Sequence, residues 1–178
     1  FTTACVKFQV LRAMPTCTKP TGLTAIYGQT LADVTLPDGW SWMNSSESVG
    51  NASTAAKKFK AKFTPADTTN YNTVEDIELE VMVNKANQAP LTIQGADSVV
   101  YGQTLTLTTT GGSGMGAVTY RIDTAYSTGG AAIDPNTGVL TPAKVGSVSV
   151  VATKAGDNDY NDITSAPFVL MIKPATPT

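Results

Sequence analysis

The side chains best suited to chemistry lie in three short stretches. Trp40 and Trp42 are separated by one serine, so they share a face if their segment is a strand, and an exposed pair of that kind stacks on sugar rings. The opposing reading puts one or both indoles into a core. Gly156-Asp-Asn-Asp-Tyr-Asn-Asp162 gathers the carboxylates of Asp157, Asp159 and Asp162, and hard oxygen donors at this density suit calcium. The spacing is not that of an EF-hand, and the alternative is an Asx turn in which the acids bond their own backbone. Cys5 and Cys17 would pair in an oxidising compartment, adding roughly 2–3 kcal/mol through loop closure. Otherwise they are two partly buried thiols.

What is missing narrows the chemistry further. The 178 residues include no histidine, which removes Ser-His-Asp and Cys-His catalytic groups and His-ligated zinc. Glu75, Asp76 and Glu78 would be the acids of a glycosidase, but they fall in an alternating strand pattern where outward acids are ordinary. No catalytic residue is assigned, and the chain is expected not to be an enzyme. With 12 Lys and Arg against 14 Asp and Glu and no basic cluster, no nucleic acid is expected as a partner. The longest apolar run, Phe168-Val-Leu-Met-Ile172, has five residues, against about 20 for a bilayer span, so no membrane insertion is expected. Phe1-Thr-Thr-Ala4 has neither the basic start nor the apolar middle of a signal peptide, and the chain reads as a mature stretch of something longer.

The elements that carry these residues read as strands. There are 28 Thr, 15 Gly and 10 Pro, a composition for pleated strands and tight turns. Phe59, Ala61 and Phe63 alternate with Lys58, Lys60 and Lys62; Leu79, Val81 and Val83 alternate with Glu78 and Glu80. Those lysines read as the wet face of a half-buried strand, not as partners in an Asn–Lys crosslink. Asp134-Pro-Asn-Thr-Gly138 is a turn signal.

The chain also repeats itself. Tyr27-Gly-Gln-Thr-Leu31 recurs as Tyr101-Gly-Gln-Thr-Leu105, an offset of 74, while Asn70-Tyr71-Asn72 answers Asp159-Tyr160-Asn161 at an offset of 89. The second copy therefore holds 15 extra residues, expected within 108–145 and including Gly111-Gly-Ser-Gly-Met-Gly116. Residues 6–13 echo the closing strands, which makes 1–13 the tail of a preceding repeat or a leader. The domains are expected at 14–87 and 88–178, joined by a short connection at 84–90. Tyr71 and Tyr160 are expected to bury their rings before a strand and reach backbone across the corner. Tyr27 and Tyr101 are expected to pack under a turn that glycine relieves of crowding. The fold class is all-β: two tandem antiparallel Ig-like β-sandwich domains.

Ile26–Leu31, Pro65–Asn72 and Val83–Ala86 together resemble the MBG repeats (YGX type) of bacterial surface proteins. Ile133–Thr141 and Gly146–Lys154 are similar to bacterial immunoglobulin-like domains, so that the first unit looks MBG-like and the second bacterial Ig-like. The resemblance implies a non-catalytic spacer or presenting segment of an extracellular, cell-surface protein, an adhesin among the options. A carbohydrate-binding module with Trp40 and Trp42 as contacts is the alternative. Expected partners are neighbouring repeats in the same chain and host or cell-wall glycan or protein, the latter by strand addition at an exposed edge, with the chain a monomer. No cofactor is expected beyond the calcium option. Asn44-Ser-Ser46 and Asn51-Ala-Ser53 match glycosylation acceptors, which mean little in a bacterium.

Overall fold

Along Lys57–Phe63 the side chains of Phe59 and Ala61 are buried and those of Lys58 and Lys60 exposed, so the alternation in the sequence becomes a half-buried strand. In the computed structural model, which describes residues 7–176, the chain is all-β apart from two short 3-10 turns. It divides into two compact units, Phe1–Asn84 and Lys85–Thr178.

The first unit holds β1 (Leu23–Ile26), β2 (Trp40–Trp42), β3 (Lys57–Phe63) and β4 (Val74–Asn84), in the sheet order β1-β4-β3-β2. The pairs β2–β3 and β3–β4 are antiparallel. β1 runs parallel to the end of β4, with Leu23 opposite Val81 and Ile26 opposite Asn84. Trp42, Phe59, Ala61, Leu79, Val81 and Val83 line the inner face, and Leu31, Val34 and Val49 cover it from the 3-10 turn and loops. A bulge in the β3–β4 register leaves Asp76 at φ 57°, a conformation favoured by glycine, and its carboxylate lies 2.7 Å from Lys60 Nζ on the wet face.

The second unit repeats this sheet and adds to it. β6 (Ser98–Val100), β9 (Val118–Ile122), β12 (Gly146–Lys154) and β14 (Phe168–Lys173) stand where β1, β2, β3 and β4 stand, with β13 (Ile163–Thr164) beside the end of β12. The parallel pair recurs: Met171 faces Ser98 and Lys173 faces Val100. The added layer consists of β5 (Leu91–Gln94) with β8 (Thr108–Gly111), and of β7 (Leu105–Thr106), β11 (Val139–Lys144) and β10 (Gly130–Ile133). Leu91, Ile93 and Leu140 from these strands, and Leu107 between β7 and β8, meet Val148, Val150, Leu170 and Ile172 in one core. β12 is buried on both faces from Val148 to Ala152, and the 3-10 turn Thr124–Tyr126 lies against it.

Several expectations change in detail. Among the described strands each unit contains one parallel pair beside its antiparallel ones, because the first strand of its main sheet lies beside the last. The connection foreseen at 84–90 is not free chain: Ala86 bridges to Tyr160, Gln88 is buried, and the second unit begins at Lys85. Gly28 and Gly102 have open space where a Cβ would stand, so their role is not relief of crowding. They take φ of +90° and +86° in turns closed by Gln29 N–H to Ile26 O and Gln103 N–H to Val100 O. Tyr101 and Tyr71 keep large exposed areas rather than burying their rings, since the loops they stand on are held by backbone bonds. Phe8, Val10 and Leu11 are exposed and belong to no strand among the described residues.

Candidate functional site

The feature built twice in the same way is the place where the chain enters each unit. In the first, Ala13 N–H donates to Asn70 O (2.8 Å) and Asn72 N–H donates to Ala13 O (2.9 Å), a parallel bridge centred on Tyr71. In the second, Ala86 N–H donates to Asp159 O and Asn161 N–H to Ala86 O, both at 2.9 Å, a parallel bridge centred on Tyr160. The preceding basic residue adds a side-chain bond each time: Arg12 Nε to Thr69 O, and Lys85 Nζ to Asp157 O. Asn72 Nδ2 reaches back to Arg12 O, and Asn161 Nδ2 to Asn87 Oδ1. Strong backbone donors and acceptors need partners, and here the entering alanine supplies them to the loop.

An aspartate shapes each of these loops. Asp67 Oδ1 accepts the N–H groups of Thr69 and Asn70, and its Oδ2 accepts Asn70 Nδ2. Asp157 Oδ1 accepts the N–H groups of Asp159 and Tyr160, and its Oδ2 accepts Met115 N–H. The loop from aspartate to tyrosine is one residue shorter in the second unit, and Lys85 and Met115 make up the difference. These bonds favour the charged form. The Asp67 carboxyl is held below its ordinary range chiefly by the Asn70 side chain, and that of Asp157 chiefly by Met115 N–H, with Lys85 adding its charge.

Asp157 and Gln88 together pin the glycine-rich segment that the second copy carries. Gln88, 6 % exposed, donates through Nε2 to Asn161 O (2.7 Å), Ala155 O (3.0 Å) and Lys154 O (3.3 Å). Its Oε1 accepts Ser113 N–H, while Ser113 Oγ accepts Ala89 N–H. A Cβ on Gly116 would stand 1.8 Å from Ala155 O, so the close backbone approach there requires glycine. The result is a fixed loop with Met115 almost fully exposed at its tip.

The residues singled out for ligands are placed differently. Trp42 is buried, its indole N–H donates to Val34 O (3.0 Å), and its ring meets Phe59 edge-on at 6.4 Å. Trp40 is half-buried and lies 5.3 Å from the Phe63 ring on the same side of β2. The pair shares a face, as its spacing requires, but that face is the core, so it offers no platform for a sugar. For the calcium option, both Asp157 oxygens already accept backbone N–H groups, and among the described residues no three His, Cys, Asp or Glu side chains gather as a metal-binding group. Within the Asp157, Asp159 and Asp162 stretch, Asp157 takes the Asx-turn form through its bonds from Asp159 and Tyr160 N–H. Cys17 is half-buried and forms no disulfide among the described residues; the pairing proposed for it involves Cys5, which lies outside them.

The acids and lysines of β3 and β4 face water in pairs, Lys58 with Glu78 at 3.2 Å and Lys60 with Asp76 at 2.7 Å. Beside them runs an open cleft of about 230 Å³ between residues 19–22 and Lys58, Glu78, Leu79 and Glu80. Lys19 donates to Glu78 O from its rim. Sequence reasoning passed over Gln88 and the entering alanines. Ala13 and Ala86 were visible only as markers of the repeat, and nothing in an isolated glutamine announces that it will be buried. No family model matches the chain, and no curated protein matches it either.

Proposed function

We propose that this chain is a non-catalytic spacer or presenting segment of an extracellular bacterial surface protein, adhesins included, assembled from MBG-like and bacterial Ig-like repeats. The observation that carries this reading is the entry clasp. Asn84 O is bonded to Tyr27 N–H inside the first unit, the next residue, Lys85, is bonded inside the second, and Ala86 follows it into the bridge with Tyr160. A chain that spends its connecting residues on completing the next module is suited to setting modules in series, where length grows with copy number. The repeated Tyr-Gly-Gln turn and the repeated parallel pair support the same reading. The carbohydrate-module alternative draws no support from the buried Trp42.

Antibodies raised against the folded chain test the proposal on intact cells of the source organism. Labelling without permeabilisation is expected. Labelling that needs permeabilised cells overturns the extracellular assignment, and release of a product from a polysaccharide or protein substrate overturns the non-catalytic one.

A further inference from the structure

In both units the strand that opens the sheet lies parallel to the strand that closes it. β1 follows the entry clasp and pairs with the last four residues of β4, and β6 pairs with the last three residues of β14. Each pair is extended by backbone bonds at its ends: Tyr27 N–H to Asn84 O (2.9 Å) in the first unit, Tyr101 N–H to Lys173 O (2.9 Å) and Met171 N–H to Asp97 O (2.8 Å) in the second. This arrangement fixes what tension along the chain would do. A pull from the N-terminal side reaches the start of the opening strand, in the second unit by way of β5, and a pull from the C-terminal side acts on the end of the closing strand. For parallel neighbours these points lie at opposite ends of the ladder, so the two strands are drawn past each other and all their hydrogen bonds are loaded at once. In an antiparallel pair joined at one end the bonds would part singly.

We infer that the parallel pairs β1–β4 and β6–β14 are mechanical clamps, and that each unit bears tension applied along the chain. The inference rests on the spacer reading only for its use in the cell; the mechanics follow from register alone. Side chains reinforce the clamp. Leu79, Val81 and Val83 of the first closing strand and Leu170 and Ile172 of the second are anchored in their cores. Sliding either strand by one residue would carry these apolar groups toward the wet face. The entry clasps lie upstream on the same load path, each with two backbone bonds, and in the second unit the antiparallel β5–β8 ladder lies there too, so these would yield before β6–β14 is loaded. Loss of Ala13 or Ala86 from its bridge leaves the parallel pair intact, so a small early extension precedes the main rupture. Forced unfolding is governed by the barrier and not by overall stability, so the clamp need not show in a melting temperature.

The test is single-molecule pulling on the full chain with the load applied in two directions. In a Cys5→Ser, Cys17→Ser background, handles at the two termini load the clamps along the strands. Handles on Asp97→Cys and Arg121→Cys, which lie at opposite edges of the β6-β14-β12-β9 sheet, load the second unit largely across them. A second pair, Ala96→Cys with Ala125→Cys, serves if the first disturbs folding, all four positions being at the surface or half way to it. Rupture at several-fold higher force end to end than across the sheet is expected, with one main event for each unit. Equal forces in the two directions, or end-to-end extension by gradual peeling, overturns the inference. Neither result depends on where the protein resides, so a chain that passes this test and labels only inside cells would sink the spacer reading alone.

Discussion

Gln88 joins the entering segment to three backbone carbonyls and receives one N–H in return, all from a nearly sealed position. Gln88→Ala would leave those groups without partners and is expected to destabilise the second unit by about 1–3 kcal/mol, read from denaturant midpoints. Gln88→Glu sharpens the test, because a carboxylate there faces carbonyl oxygens and burial. Both favour the neutral acid and raise its folded-state pKa. The variant's stability should therefore fall as pH rises from the ordinary glutamate pKa of about 4.3 toward the raised value. Asp157 works in the opposite sense. Its carboxyl is lowered, foremost by Met115 N–H, so its contribution is complete above the ordinary aspartate value of about 3.9 and is lost as pH falls through the lowered one. Asp157→Asn should flatten that acid limb, measured as denaturant midpoint between neutral pH and pH about 3. The Asx role of Asp157 was legible in the residues around it, since Asp and Asn close such turns locally. The partner Met115 was not, because it comes from a loop 42 positions away.

At the scale of elements, the turns and alternating strands were the most legible features, because their causes are local. Asp134 caps the 134–138 turn through bonds from Asn136 and Thr137 N–H, and Gly138 sits at φ +69° with Leu107 O 2.4 Å from where a Cβ would be. Gly138→Ala is expected to cost about 1–3 kcal/mol by combining left-handed strain with that clash, seen as a lower melting temperature of the second unit. The entry clasp is not local, and its evidence in the sequence was only a matching interval. Ala86→Pro removes the N–H that Asp159 O receives and should lower the melting transition of the second unit while leaving that of the first in place. Parallel pairing of the opening and closing strands had no signature in the residues. Alternation fixes which face of a strand is buried but says nothing of the direction in which its neighbour runs.

For the molecule as a whole, composition and repetition were enough to read an all-β chain in two modules, and the structure adds that their cores share no residue. Both tryptophans belong to the first core or its margin, so indole fluorescence reports on that unit. Leu140→Ala, a truncation of a fully buried side chain in the other core, is expected to cost the second unit about 2–5 kcal/mol. Hydrogen exchange at β12 should register that loss while the fluorescence-monitored transition stays where it was.

The pairing of the opening and closing strands of each main sheet also governs the order of events as the polypeptide is made. Leu23–Ile26 emerges early but must wait for Val81–Asn84, and Ser98–Val100 for Met171–Lys173, so neither module closes its sheet until its final residues have left the ribosome. Contacts so distant along the sequence form slowly. At synthesis rates of about 5–20 residues per second, each module therefore spends seconds as an open chain before it locks.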